Sequence, residues 1–154
     1  MIQRIQSIHL FLAAVLMGVM FLFPLGRFLG GAEQFHLTAL GITSSTGARV
    51  VYTMPMAIFI AASALLPLII IFLYKKRPQQ LRLCIMELFL VAATQLVVCI
   101  YLWRTTHIMA GFGPHASAFS VAVGLPVVAF IFVWLAATGI RRDEKKVRSL
   151  DRIR

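Results

Sequence analysis

Residues 83–103 read LCIMELFLVAATQLVVCIYLW, and Glu87 is the one charged side chain among them. Wound as a helix at about 1.5 Å per residue, such a run covers roughly 30 Å, the thickness of a bilayer's hydrocarbon core. A stretch this long and this apolar sets the fold class as membrane-spanning. Three further stretches meet the same requirement: about Ile5 to Leu25, Pro55 to Tyr74 and Ser117 to Ile140. No two-residue alternation runs through them, which argues against a closed β-barrel. The expectation is an all-α membrane protein, one four-transmembrane-helix bundle over residues 1–154 with a basic helical tail at 141–154.

The composition agrees. Of 154 residues, 60% are apolar and 13% charged, whereas soluble domains carry about half and about a quarter. Disorder requires low hydrophobicity and is excluded. The net charge of +10 comes from fifteen Lys and Arg against five Asp and Glu, and its distribution decides its meaning. Arg4, then Lys75, Lys76, Arg77 and Arg82, then seven basic residues between Arg141 and Arg154 all flank one side of the spans. Arg27, Arg49 and Arg104 fall on the other. Basic short loops stay in the cytoplasm, so both termini are expected there, in a bacterial inner membrane. The basic runs lack interleaved aromatic side chains for base stacking, so no nucleic-acid partner is expected. The first apolar run is longer than a signal-peptide core and reads as a span.

The loop from Gly26 to Met54 is the largest polar piece. Residues 35–43 (FHLTALGIT), 44–47 (SSTG) and 48–52 (ARVVY) predict a two-stranded β-hairpin with a Gly-containing turn. An isolated hairpin is marginal in water, so it is expected to lean on the segment Arg104 to Ala116. Thr53 suits a helix N-cap, with Pro55 in the first helical turn. Pro67 and Pro126 lie inside spans, and each is expected to free the carbonyl four residues earlier, on Ser63 and Ala122. Small residues four apart, such as Ala14 and Gly18 or Ala57 and Ala61, allow close helix approach.

Intramembrane ionisable groups point to function. Glu87 and His9 lie about one turn in from the same side of the membrane. If their helices meet, they form a pair suited to proton or cation chemistry. If not, each fixes helix register at the headgroup boundary. Thr94 and Gln95 are expected to hydrogen-bond between helices. His36, His107 and His115 come from two loops without ligand spacing, so no metal site is expected. His9 is the one histidine within a span, which leaves a bis-histidine haem without its second ligand. Cys84 and Cys99, about 22 Å apart on one helix, cannot bridge. No C-x-x-C, nucleophile elbow, metalloprotease, P-loop or dinucleotide motif occurs. No cofactor, no metal and no catalytic residue is expected, and the chain does not read as an enzyme.

The tail RRDEKKVRSLDRIR sets Ile140, Val147, Leu150 and Ile153 on one apolar stripe. It either continues the fourth span or lies on the anionic inner leaflet. Arg4, Lys75, Lys76, Arg77, Arg82, Asp143, Glu144, Arg148, Asp151 and Arg152 then form one surface. Its expected partners are anionic lipid headgroups, a membrane-protein partner or a second copy of the chain.

The opening MIQRIQSIHLFLAA, the middle KKRPQQLRLC and the ending RRDEKKVRSLDRIR resemble domain of unknown function family 4293, small four-helix membrane proteins found largely in Bacteroidota. The resemblance spans essentially the whole chain. It implies fold and inner-membrane location and brings no catalytic residues. The function expected is a non-enzymatic accessory or scaffold subunit acting through its cytoplasmic face. The alternative is a small proton-coupled transporter or channel using Glu87 and His9.

Overall fold

A computed structural model describes residues 2–30, 33–44, 47, 49–73, 77–111 and 115–151, with side chains described outside 2–4, 30, 49, 50, 77, 115 and 145–151. Among the described residues there are four α-helices: α1 (Ile2–Val19), α2 (Met54–Phe72), α3 (Arg77–Ala110) and α4 (Leu125–Asp151). In α3 the residues Gln80, Cys84, Glu87, Val91, Thr94 and Val98 are all buried. Their steps alternate four and three, the 3.5-residue period that keeps one seam facing its neighbours with a left-handed wind. Helix α3 packs on α2 and α4, and α1 packs on the same two. Helices α1 and α3 therefore sit on opposite corners of the bundle.

The outer faces are apolar as well. Phe89 is 74% exposed, Ile58 66% and Leu96 65%, the all-round hydrophobicity of helices whose solvent is lipid. Met54–Phe72, Pro78–Ala110 and Val121–Glu144 are long and apolar enough to cross a membrane, while Ile5–Val19 is a shorter apolar helix.

Three span boundaries move. Helix α1 stops at Val19, not near Leu25. Its end tightens into three-residue turns, with the N–H groups of Met20, Phe21 and Leu22 donating to Met17, Gly18 and Val19. Pro24 then disfavours a helical conformation at Phe23. Helix α3 overruns the span read at Leu83–Trp103 at both ends. At the fourth span, residues 115–119 are a strand and Val121–Gly124 a 3₁₀ turn, so the α-helix begins only at Leu125. Pro126 thus falls in the first turn of α4, and the Ala122 carbonyl accepts the Leu125 N–H instead of being stranded. Pro67 does lie inside α2.

The expected hairpin is a five-stranded antiparallel sheet, which corrects the all-α assignment. Its strands are β1 (Gly26–Gly30), β2 (Glu33–Thr38), β3 (Gly41–Ser44), β4 (Arg49–Tyr52) and β5 (His115–Phe119), in the order β4-β3-β2-β1-β5. The segment read as one strand, 35–43, folds back on itself at Ala39-Leu40 to make β2 and β3. The turn between β3 and β4 contains Gly47 at φ +80°, a conformation that favours glycine. Strand β1 holds the sheet together, pairing Gly26 with Leu37 on one side and with Phe119 on the other.

The sheet closes one end of the bundle. Leu25, Phe28, Leu37, Ala39 and Ile42 share one buried cluster with Met17, Met20, Met56, Leu102 and Met109. Thr53 stands at the N-cap position of α2 without capping it. Its hydroxyl donates to the Ala39 carbonyl at 3.0 Å, tying the β2–β3 turn to the helix start. At Gly41 a Cβ would lie 2.6 Å from the Val51 carbonyl oxygen, so only glycine fits this strand crossing.

Candidate functional site

Three of the buried polar side chains follow one another along α3. Gln80, Glu87 and Thr94, seven residues apart, repeat one position of the buried seam. Gln80, 4% exposed, donates its amide to the Ile70 carbonyl at 3.3 Å. That carbonyl lies in the last turn of α2 and also accepts the Leu73 N–H at 3.2 Å, so the amide caps the helix end from α3. Thr94 donates to Leu90 on its own helix at 2.8 Å and to Phe59 of α2 at 3.4 Å. Its hydroxyl is also 3.4 Å from that of Ser63. Thr94 therefore makes the interhelical bond expected of it. Gln95 does not: its amide donates along its own helix to Cys99 Sγ at 3.3 Å.

Glu87 lies between these two layers with 0% exposure. Neither of its carboxyl oxygens has a hydrogen-bond partner among the described residues. Buried polar groups are ordinarily paired, and each exception needs a reason. His9 is not that partner. Its ring stacks on Phe132 of α4, with centroids 5.9 Å apart and planes 28° apart. The His9–Glu87 pair, conditional on their helices meeting, is not formed, because those helices occupy opposite corners. The described grooves open on outer faces, and neither residue lines them.

A second polar tie closes the end of the bundle away from the sheet. Gln6 of α1, 5% exposed, donates its amide to Asp143 Oδ2 of α4 at 2.6 Å. It packs on Gly139, where a Cβ would come within 3.0 Å of Gln6 Cγ. A glycine there lets the two helices approach. Asp143 thus ties α4 to α1; Lys75 and Lys76 of the basic link lie outside the described residues.

The basic residues gather at this same end. Arg82, Arg141 and Arg142 are exposed and Glu144 is half-buried. Arg4 lies in the first turn of α1, Arg77 opens α3, and Arg148 and Asp151 end α4. Lys75, Lys76 and Arg152 fall outside the described residues. Helix α4 continues unbroken from its apolar part through Asp151, so the tail prolongs the last span, the first of the two conformations expected.

Elsewhere, His36 lies on β2, His115 on β5 and His107 on α3, its ring 4.7 Å from Trp103 and edge-on to it. No group of three His, Cys, Asp or Glu converges as metal ligands among the described residues. Cys84 is buried and Cys99 exposed. Gln80 and Gly139, both uncharged, do not stand out in the sequence as site residues. The seven-residue repeat through Gln80, Glu87 and Thr94 carried the signal for the first. No curated protein matches the chain. The family model described as Domain of unknown function (DUF4293) matches residues 2–153, nearly the full length, and the chain belongs to that family.

Proposed function

We propose that this is a four-span inner-membrane protein with both termini in the cytoplasm, acting as a non-enzymatic accessory subunit. It binds its partner through the basic cytoplasmic end of the bundle. One observation carries the reading: α4 runs unbroken over 27 residues, about 40 Å at the helical rise. Its last eleven residues, 141–151, prolong the apolar part as a charged helix of roughly 16 Å. The Gln6–Asp143 bond anchors the root of that helix to α1. A rigid, charged projection on a bundle with an apolar outer surface suits docking better than catalysis.

The test is crosslinking in native membranes followed by mass spectrometry. A stoichiometric partner should crosslink through the tail and be lost when Arg141 and Arg142 are changed to Glu. Recovery of the uncrosslinked chain alone would sink the proposal.

A second reading, proton-coupled transport, rests on the unpartnered carboxyl of Glu87. It requires that Glu87→Gln abolish a proton-dependent flux in proteoliposomes. Flux unchanged by that substitution removes it.

A further inference from the structure

The seam between α3 and α4 opens outward in a groove at the tail end of the bundle. Its volume is about 230 Å³, and its walls include Leu81, Ile85, Leu88, Trp134 and Ala137, with Arg141 at one end. The walls offer hydrocarbon and almost nothing else. Even Thr138, which also lines the groove, turns its hydroxyl back to the Leu135 carbonyl at 2.9 Å. Ala137 supplies the depression, and the bulkier Trp134 and Ile85 flank it, 53% and 46% exposed. Such a furrow on a membrane-facing surface takes an apolar chain, since water there would find no partners.

The end of the groove gives the occupant its charge. Arg141 is exposed, and Arg142 beside it and Arg82 beside Leu81 are exposed at the same end. Asp143, two residues on, is held by Gln6 at 2.6 Å and is not drawn to Arg141. From Trp134 to Arg141 is seven residues, about 10 Å along the helix. That is some two thirds of the hydrocarbon depth of one leaflet. The guanidinium therefore stands where a phosphate belongs when an acyl chain lies against Trp134. Guanidinium groups bind phosphate oxygens in a bidentate fork.

We propose that this groove is a seat for an anionic phospholipid, its acyl chain between α3 and α4 and its phosphate on Arg141. The inference rests on membrane embedding alone and holds whichever side the tail faces. The seam supplies its own comparison. A second groove, about 320 Å³, lies further along between Ala92, Leu96, Pro126, Val127 and Phe130, and no charged residue lines it. That groove accepts chains without choosing headgroups.

Trp134 is a built-in reporter. The only other tryptophan, Trp103, lies towards the sheet and is replaced by Phe for the measurement. Purified protein in neutral detergent is titrated with phosphatidylglycerol or phosphatidylcholine brominated on the acyl chain, and quenching of Trp134 is followed. Phosphatidylglycerol should half-quench at about fivefold lower concentration, the ratio expected for one basic residue at an anionic headgroup. Arg141→Gln should bring the two curves together while leaving the phosphatidylcholine curve in place, which also reports an intact fold. Ala137→Phe should weaken quenching by both lipids. Coincident curves for the unsubstituted arginine, or a preference that survives Arg141→Gln, overturn the proposal. So does a Trp134 that neither lipid reaches because a second copy covers it, seen as a crosslinked dimer.

Discussion

Replacing Glu87 by Met should make the protein more stable. Glu87 is 0% exposed and both of its carboxyl oxygens lack partners among the described residues. A buried polar group left unsatisfied costs about 1–3 kcal/mol. Methionine has nearly the same length and an unbranched stem, so it fills the space without a cavity while removing the two oxygens. For a chain of this size, 1 kcal/mol moves the melting temperature by roughly 2–4 °C. The expected gain is therefore about 2–12 °C, read as the temperature at which the monodisperse peak disappears on size exclusion in detergent. Glu87→Gln keeps a polar group in the same place and should change little. The opposite sign would be decisive. If the carboxylate were half of a buried ion pair, removing it would destabilise by about 3–5 kcal/mol. A melting temperature lowered by several degrees in Glu87→Met would refute the account of Glu87 as an unpartnered group.

Other outcomes follow from single contacts. Gly139→Ala should lower the melting temperature, because its Cβ meets Gln6 at 3.0–3.1 Å; in a Gln6→Ala background, which has already lost the Asp143 bond, the same substitution should cost much less, a non-additivity of about 0.5–3 kcal/mol between contacting residues. Gly41→Ala places a Cβ 2.6 Å from the Val51 carbonyl, and overpacking of this kind costs about 1–3 kcal/mol. Limited proteolysis should then cut the β3–β4 hairpin first. Thr53→Val leaves the Ala39 carbonyl without its 3.0 Å donor and should cost about 1–3 kcal/mol in thermal unfolding.

The helices were readable and the sheet largely was not, and the reason is physical. Hydropathy reports burial in a low-dielectric medium without regard to backbone conformation. The residues of β1, Arg27-Phe28-Leu29, and of β5, Ala116-Ser117-Ala118-Phe119, adjoin apolar helical runs. Nothing in five residues separates a strand from the margin of a span. The hairpin was half visible because Gly47 marks a turn by its chemistry, whereas Ala39-Leu40 carries no turn residue and hid the reversal between β2 and β3. At the candidate site, Glu87 announced itself by being charged where charge is rare. Its isolation from His9 did not, since two residues at equal depth on two helices can share a corner or face away. Which helices are neighbours is a property of the assembled bundle. The Gln6–Asp143 bond, spanning 137 residues, was invisible for the same reason.

The seven-residue repeat on α3 gives Glu87 its context. Gln80 and Thr94, one repeat below and one above, both find partners on α2: a terminal carbonyl at Ile70 and the backbone and hydroxyl around Phe59 and Ser63. On α2 the first partner is the Ile70 carbonyl, which also accepts the Leu73 N–H at 3.2 Å, and the second is a layer in which the Ser63 hydroxyl donates to Phe59 and Ile60. Between those two layers the carboxyl of Glu87 has no partner among the described residues, while the layers on either side tie α2 to α3. A group so placed cannot slide to a better neighbour without breaking both flanking layers. Register set by Gln80 and Thr94 therefore keeps Glu87 unsatisfied, and any role for its carboxyl must be served by something that enters this layer, not by rearrangement of the helices around it.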